Sequence, residues 1–244
     1  QEVFTRLGAE VVVLNAEPDG ININKDCGST HMEQLQKCVV QHGCHMGFAF
    51  DGDADRMLAV DHTGEVVDGD KCIAVCAKHM KQIGKLKKDT AVVTVMSNMG
   101  FFKFCEANGI KCEKTKVGDR YVLENMSENG YSIGGEQSGH IIFLEYATTG
   151  DGQLSAIQLL SVLKDTGKTL KELADEMEVY PQVLINVRVS NFGKAQFKKD
   201  KEVQNAIKMV EEKLGDEGRI LVRASGTEPL IRVMLEGKNI KEIA

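Results

Sequence analysis

Apolar positions along the chain fall into two alternating rhythms. Short apolar or β-branched runs at Glu10–Leu14, Met46–Phe50, Met57–Val60, Ala91–Met96 and Ile110–Thr115 predict strands. Spacings of three and four at Met32–His42, Asp70–Ile83, Phe101–Ala107, Tyr121–Ser127, Leu154–Lys164 and Leu170–Met177 predict helices, with Gly43 and Gly109 placed to end two of them. Asp61-His-Thr-Gly64 reads as a turn, and Tyr131–Ile133 and Ile141–Leu144 flank a glycine-rich loop. Strands alternating with helices predict α/β layers with largely parallel pairing. Val3, Phe4 and Leu7 read as the last turns of a helix and Asn239–Ala244 as one just beginning, so the expectation is a piece of something longer.

The rhythm changes near residue 178. Gln182–Val189 alternates like a half-buried strand, Glu202–Leu214 is an amphipathic helix, and Arg219–Arg223 and Leu230–Leu235 are strands around a polar turn. These predict a small α+β domain. Boundaries are expected near residues 65 and 178, with no Pro/Ser linker at either. Residues 15–31 form a long polar loop, of a length that is often functional.

Composition narrows the classes. The chain has 244 residues, 42% of them hydrophobic and 27% charged, which suits a soluble globular protein with a core of its own. No apolar run approaches the ~20 residues of a membrane span, and Glu2, Arg6 and Glu10 interrupt the start, so no membrane is expected. The net charge is −6, with Lys and Arg scattered among carboxylates, so no nucleic acid is expected. The seven Cys include no C-x-x-C pair and read as buried free thiols in a reducing cytoplasm.

Three loops carry the chemistry. In Phe48-Ala-Phe-Asp-Gly-Asp-Ala-Asp-Arg56, Asp51, Asp53 and Asp55 stand at every second position directly after a strand. Carboxylates so close repel unless a cation lies between them, and hard oxygens suit Mg²⁺ or Ca²⁺. An EF-hand is excluded, because its glycine and glutamate positions hold Arg56 and His62. An aspartate-nucleophile phosphatase fits poorly, because Asp55-Arg56 breaks its D-x-D-x-[TV] pattern. Arg56 is placed to grip a phosphate beside the cation. In Gly134-Gly-Glu-Gln-Ser-Gly-His140, Glu136, Ser138 and His140 offer the groups that hydrogen-bond sugar hydroxyls, although a plain glycine-rich hairpin would share this composition. In Arg223-Ala-Ser-Gly-Thr-Glu-Pro-Leu-Ile-Arg232, Ser225, Gly226 and Thr227 between two arginines read as an anion nest, with an ordinary surface turn as the alternative. A phosphorylated sugar would need a cation site, a hydroxyl-binding loop and a phosphate clamp together.

With these motifs in order, the chain resembles the α-D-phosphohexomutases over its whole length. Glu17-Pro-Asp-Gly-Ile-Asn-Ile-Asn24, Cys27-Gly-Ser-Thr-His31, Thr115-Lys-Val-Gly-Asp-Arg-Tyr121, Thr148-Thr-Gly-Asp-Gly152 and Gln137 point to the bacterial branch that acts on glucosamine phosphate. The family's serine motif of Ser-His-Asn-Pro type is absent. The resemblance therefore implies the latter part of domain 2 (1–65), domain 3 (66–177) and most of domain 4 (178–244). These would be consecutive mixed α/β-sheet domains followed by a small α+β domain. It implies Mg²⁺ on Asp51, Asp53 and Asp55, with a phosphoserine from the missing N-terminal domain as the further ligand. Arg56 would stabilise the transferring group, and Glu136, Ser138 and His140 would hold sugar hydroxyls. Arg223, Ser225, Gly226, Thr227 and Arg232 would hold the distal phosphate. The implied reaction interconverts glucosamine 6-phosphate and glucosamine 1-phosphate through a 1,6-bisphosphate, in amino-sugar and peptidoglycan precursor supply. This fragment alone would be inactive. A phosphorylated hexose substrate, a non-catalytic phosphosugar-binding module and a homodimer remain open alternatives. The general acid/base is unassigned, with Lys116, Asp119 and Arg120 in the relevant segment.

Overall fold

The computed structural model describes residues 1–225, 228–239 and 241. The chain divides into two compact units. One comprises residues 1–97 and 104–177, the other residues 98–103 and 178–244.

The first unit starts with α1 (Glu2–Arg6) and α2 (Glu33–His42). Next come strands β1 (Met46–Phe50), β2 (Met57–Asp61) and β3 (Val66–Val67), an antiparallel sheet in the order β1-β2-β3. Met32, Val39, Ala49 and Val60 make its core, with Leu35, Cys44, Leu58 and Val66 packed around them. Asp61 is buried, but accepts from the Thr63 N–H (2.8 Å), the Thr63 hydroxyl (2.6 Å) and the Glu65 N–H (3.2 Å). Burial pushes its carboxyl up, yet these hydrogen bonds win and hold it below the usual range. They also build the turn at 61–64.

Helix α3 (Gly69–Gln82) leads to β4 (Thr90–Thr94), α4 (Met99–Ala107), β5 (Lys111–Thr115), α5 (Asp119–Asn129), β6 (Ile133–Gly135) and β7 (Ile141–Phe143). The sheet order is β5-β4-β6-β7. Val92, Val122, Met126 and Ile142 are buried between this sheet and α5. Helices α6 (Gly152–Thr166) and α7 (Leu170–Ala174) complete the layer, and α3 packs against both. Thr169 and Glu172 form a reciprocal capping box at the start of α7. Cys72 and Cys76 are buried free thiols on α3, and burial pushes Cys76 up to about 12.

In the second unit, β8 (Gln182–Arg188), α8 (Asn191–Gln196), α9 (Lys201–Leu214), β9 (Gly218–Ala224) and β10 (Leu230–Gly237) form an antiparallel sheet, order β8-β10-β9, with α9 against β9. Glu236 is fully buried and accepts from Asn98 Nδ2, Met99 N–H, Gln182 Nε2 and Arg219 Nε. These donors offset the cost of burying a charge.

Three expectations change. Glu10–Leu14 is not a strand, and Val12 and Val13 are exposed. An apolar run becomes a strand only where a neighbouring strand takes up its hydrogen bonds. Among the described residues parallel pairing is confined to β4 with β5 and β4 with β6, while the other strand pairings are antiparallel. The short loops after β1, β2 and β6 can only reverse the chain. Strand β8 is mostly exposed, because α9 packs against β9 at the other edge of the sheet. Helix α8 was not anticipated, although Ser190 caps it by accepting from the Gly193 N–H. The expected helix at 239–244 falls almost entirely outside the described residues.

Candidate functional site

The acidic loop is the hairpin turn between β1 and β2, closed by the pair Phe50–Met57. Ala54 takes a positive φ of 59° and its N–H donates to Asp51 O. The Arg56 N–H donates to Asp51 Oδ1 at 3.1 Å. This curl brings one carboxylate oxygen each of Asp51, Asp53 and Asp55 within 4.8 Å of one another. Arg56 Nε lies 3.6 Å from Asp51 Oδ2 and 3.9 Å from Asp55 Oδ1, a partial neutralisation of the cluster.

The donor set fits a hard dication. Asp55 Oδ1 is buried and accepts no hydrogen bond. Burial raises the Asp55 carboxyl above its ordinary value, the charges of Asp51 and Asp53 raise it further, and His140 opposes them. A cation among these oxygens would remove both the repulsion and the unmet acceptor.

The second loop turns between β6 and β7. The Gly139 N–H donates to Glu136 O and the Glu136 N–H to His140 O, so the segment is a tight turn, not an extended strand. The Met57 N–H donates to Gly139 O at 3.1 Å, which joins this loop to the end of the acidic one. Gly139 has φ +96°, and a Cβ there would lie 2.4 Å from Met57 O. No other residue fits that approach.

His140 is buried, with Nε2 3.4 Å from Asp55 Oδ2 and 3.8 Å from Asp119 Oδ2. The Gly150 N–H donates to the same nitrogen at 3.2 Å. Glu136 Oε1 accepts from the Gly118 N–H at 3.0 Å. Glu136 and His140 thus both reach the start of α5, whereas Ser138 is exposed. Within 116–120, Asp119 faces His140, Arg120 pairs with Glu124, and Lys116 Nζ lies 5.6 Å from the Tyr121 ring centroid. The long loop and the end of β1 enclose a cleft of about 1150 Å³, with Asn24, Gly28, Asp51 and Gly52 on its wall.

In the second unit, Arg223 and Arg232 are directly opposite each other on β9 and β10. Burial lowers the Arg223 guanidinium from its usual value, and Arg232 lowers it further. Arg232 Nη2 donates to Glu228 Oε2 at 2.9 Å, while its buried Nε has no partner. Ser225 is buried, and its Oγ accepts from the Glu228 N–H at 3.2 Å. Two guanidinium groups held side by side, one with an unmet donor, have the charge and donors that an anion would need. Gly226 and Thr227 lie outside the described residues.

Gly139 and Gly150, whose backbones meet Met57 and His140, carry no signal in the sequence beyond being glycines inside the motifs.

Residues 1–64 match phosphoglucomutase/phosphomannomutase alpha/beta/alpha domain II, residues 68–180 match alpha/beta/alpha domain III, and residues 184–244 match the C-terminal domain. A phosphoglucomutase/phosphomannomutase family protein from Burkholderia thailandensis shares the fold, with a TM-score of 0.78 at 20% identity over 99% of this chain and 54% of its own. An N-acetylphosphoglucosamine mutase from Aspergillus fumigatus, solved with GlcNAc-6P and magnesium, has a TM-score of 0.71 at 22% identity over 90% of this chain and 51% of its own. The chain belongs to the phosphoglucomutase/phosphomannomutase family. It is 60% identical over 242 residues to a phosphoglucosamine mutase of Clostridium tetani and 58% identical to one of Caldicellulosiruptor bescii. In each case 99% of this chain and 54% of the relative are covered, so it spans about half the length of these relatives. Among the described residues no helix is long and apolar enough to cross a membrane.

Proposed function

We propose that this chain supplies the cation, sugar and phosphate sites of a cytoplasmic phosphoglucosamine mutase, with residues 1–65, 66–177 and 178–244 as its successive domains. The observation that carries this is the convergence of Asp51, Asp53 and Asp55 on one point, with His140 of the sugar loop against Asp55. The 60% identity to a phosphoglucosamine mutase supports the choice of glucosamine phosphate over a neutral hexose.

In this reading Asp51, Asp53 and Asp55 hold Mg²⁺, which supplies charge neutralisation for phosphoryl transfer when bound. Arg56, held beside those carboxylates, faces the transferring phosphoryl group and balances its charge. Glu136, Ser138 and His140 orient the sugar hydroxyls, His140 from its place beside Asp55 and Asp119. Arg223, Ser225, Gly226, Thr227 and Arg232 bind the phosphate that does not react. The reaction runs from glucosamine 6-phosphate through a 1,6-bisphosphate to glucosamine 1-phosphate. The nucleophilic serine is supplied from outside this sequence. Catalysis of this kind is mainly positioning and electrostatic stabilisation.

The test is kcat/KM of the full-length, serine-phosphorylated polypeptide for glucosamine, glucose and mannose phosphates in Mg²⁺. A clear preference for glucosamine phosphate supports the proposal. Preference for glucose or mannose phosphate keeps the mechanism and overturns the substrate. No turnover of any of them leaves a phosphosugar-binding module and sinks the enzyme reading.

A further inference from the structure

Gln137 lies in the middle of the sugar loop, yet its side chain is committed elsewhere. Its Nε2 donates to Asp68 Oδ2 at 3.1 Å. Asp68 is the N-cap of α3, and its other oxygen accepts from the Lys71 N–H at 3.0 Å. The Gly69 N–H donates to Gln137 O at 3.0 Å. A Cβ on Gly69 would sit 2.2 Å from Glu136 O and 2.7 Å from Gly139 N, so the loop backbone rests directly on the first residue of α3. The loop is also tied to Met57 through Gly139 O. It is therefore held between the residue that follows the acidic hairpin and the start of a buried helix.

We propose that Asp68 and Gln137 are positioning residues for the sugar loop, and that Gln137 sets loop position instead of reading the sugar. Capping α3 needs a single acceptor, and Oδ1 meets that need. Oδ2 is a second acceptor, and it fixes the residue between Glu136 and Ser138. Glu136 meets Gly118, and His140 meets Asp55 and Asp119, only while the turn between them keeps its height on α3. Loss of the Asp68–Gln137 bond leaves the turn tied to the start of α3 by the Gly69 N–H alone, with Glu136 and His140 holding only its two ends. A misplacement on the order of 1 Å can cost ~100-fold in rate, so a partial loosening should be visible in turnover.

The catalytic part of this inference rests on the mutase reading, so the experiment has two arms. Asp68→Ser keeps a cap for α3 but is too short to reach Gln137. Asp68→Asn keeps both contacts once the Gln137 amide is flipped. In the first arm, hydrogen exchange is followed on this chain. The Gly139 and Gly69 amides should exchange about tenfold faster in Asp68→Ser and in Gln137→Ala, and at the wild-type rate in Asp68→Asn. In the second arm, the full-length polypeptide is assayed with glucosamine 6-phosphate. Asp68→Ser and Gln137→Ala should lower kcat about tenfold with KM changed less than about threefold, and Asp68→Asn should restore kcat to within about twofold. Unchanged exchange in Asp68→Ser, or unchanged kcat with an active wild type, overturns the positioning role. So does an Asp68→Asn variant as impaired as Asp68→Ser. If the wild-type polypeptide converts no phosphosugar, the mutase reading fails, and the exchange arm still decides whether the latch holds the loop.

Discussion

His140 Nε2 stands 3.4 Å from Asp55 Oδ2, and the Gly150 N–H donates to the same nitrogen at 3.2 Å. One ring nitrogen cannot accept from Gly150 and donate to Asp55 at the same time. The acidic hairpin and the sugar loop therefore share one imidazole, and the state of the carboxylates bears on the loop that carries His140. This coupling organises what the chain should do in solution.

The raised Asp55 carboxyl has a definite sign. A carboxyl whose folded value lies above its unfolded one costs stability as pH rises past about 3.8, its ordinary value. Asp55→Asn removes that cost. The variant should melt about 1–3 °C higher than wild type at pH 7 without Mg²⁺, and the gap should close towards pH 4. Thermal unfolding across that pH range measures it, and a variant less stable at pH 7 would contradict the assignment.

Mg²⁺ should bind this chain weakly, because three carboxylates leave most of the shell to water. Calorimetry should show the binding lost in Asp53→Asn. The melting temperature of that variant without metal should stay within about 1 °C of wild type, since Asp53 is exposed. Tight micromolar binding would show that the three carboxylates form a complete site by themselves, and binding retained in the variant would refute a site built on them.

Gly139→Ala should destabilise by about 3 kcal/mol or more, through both its positive φ and the 2.4 Å approach to Met57 O. It should also weaken Mg²⁺ binding, because Met57 anchors the end of the acidic hairpin. Gly84 has φ +72° with open space around it, so Gly84→Ala should cost only about 1 kcal/mol and leave Mg²⁺ binding intact. Denaturant titration of the two variants separates backbone conformation from close approach.

Inorganic phosphate should stabilise the second unit by lying against Arg223 and Arg232, whose like charges repel across β9 and β10. Arg223→Ala should lose that stabilisation while its own melting temperature without phosphate holds or rises slightly. In the full-length polypeptide the same variant should raise KM for phosphosugars about tenfold, since it removes ground-state binding. An unchanged KM would take Arg223 out of the clamp.

Much of this was legible in the pattern of residues. The Asp51–Arg56 spacing predicted that three carboxylates would share one loop, and the structure brings an oxygen of each together. Helix α3 and the turn at 61–64 were readable from local chemistry, namely apolar spacing and an aspartate two residues before a threonine. Glu10–Leu14 was misread because β-branched composition says that a segment suits a strand, not that a partner stands beside it. Parallel pairing was overestimated because alternation of element types does not specify which strands become neighbours.

The sequence by itself determined the chemistry on offer: hard oxygens in one loop, hydroxyl-binding groups in a second and guanidinium groups in a third. Those follow from residue identity and short spacing, which local covalent geometry preserves. Only the tertiary structure decided that His140 lies on Asp55, that Gly118 and Asp119 close over the sugar loop, and that Gln137 is bound to Asp68. Each of these joins residues far apart in the chain. Such contacts depend on how sheets and helices pack, and a linear pattern does not record them.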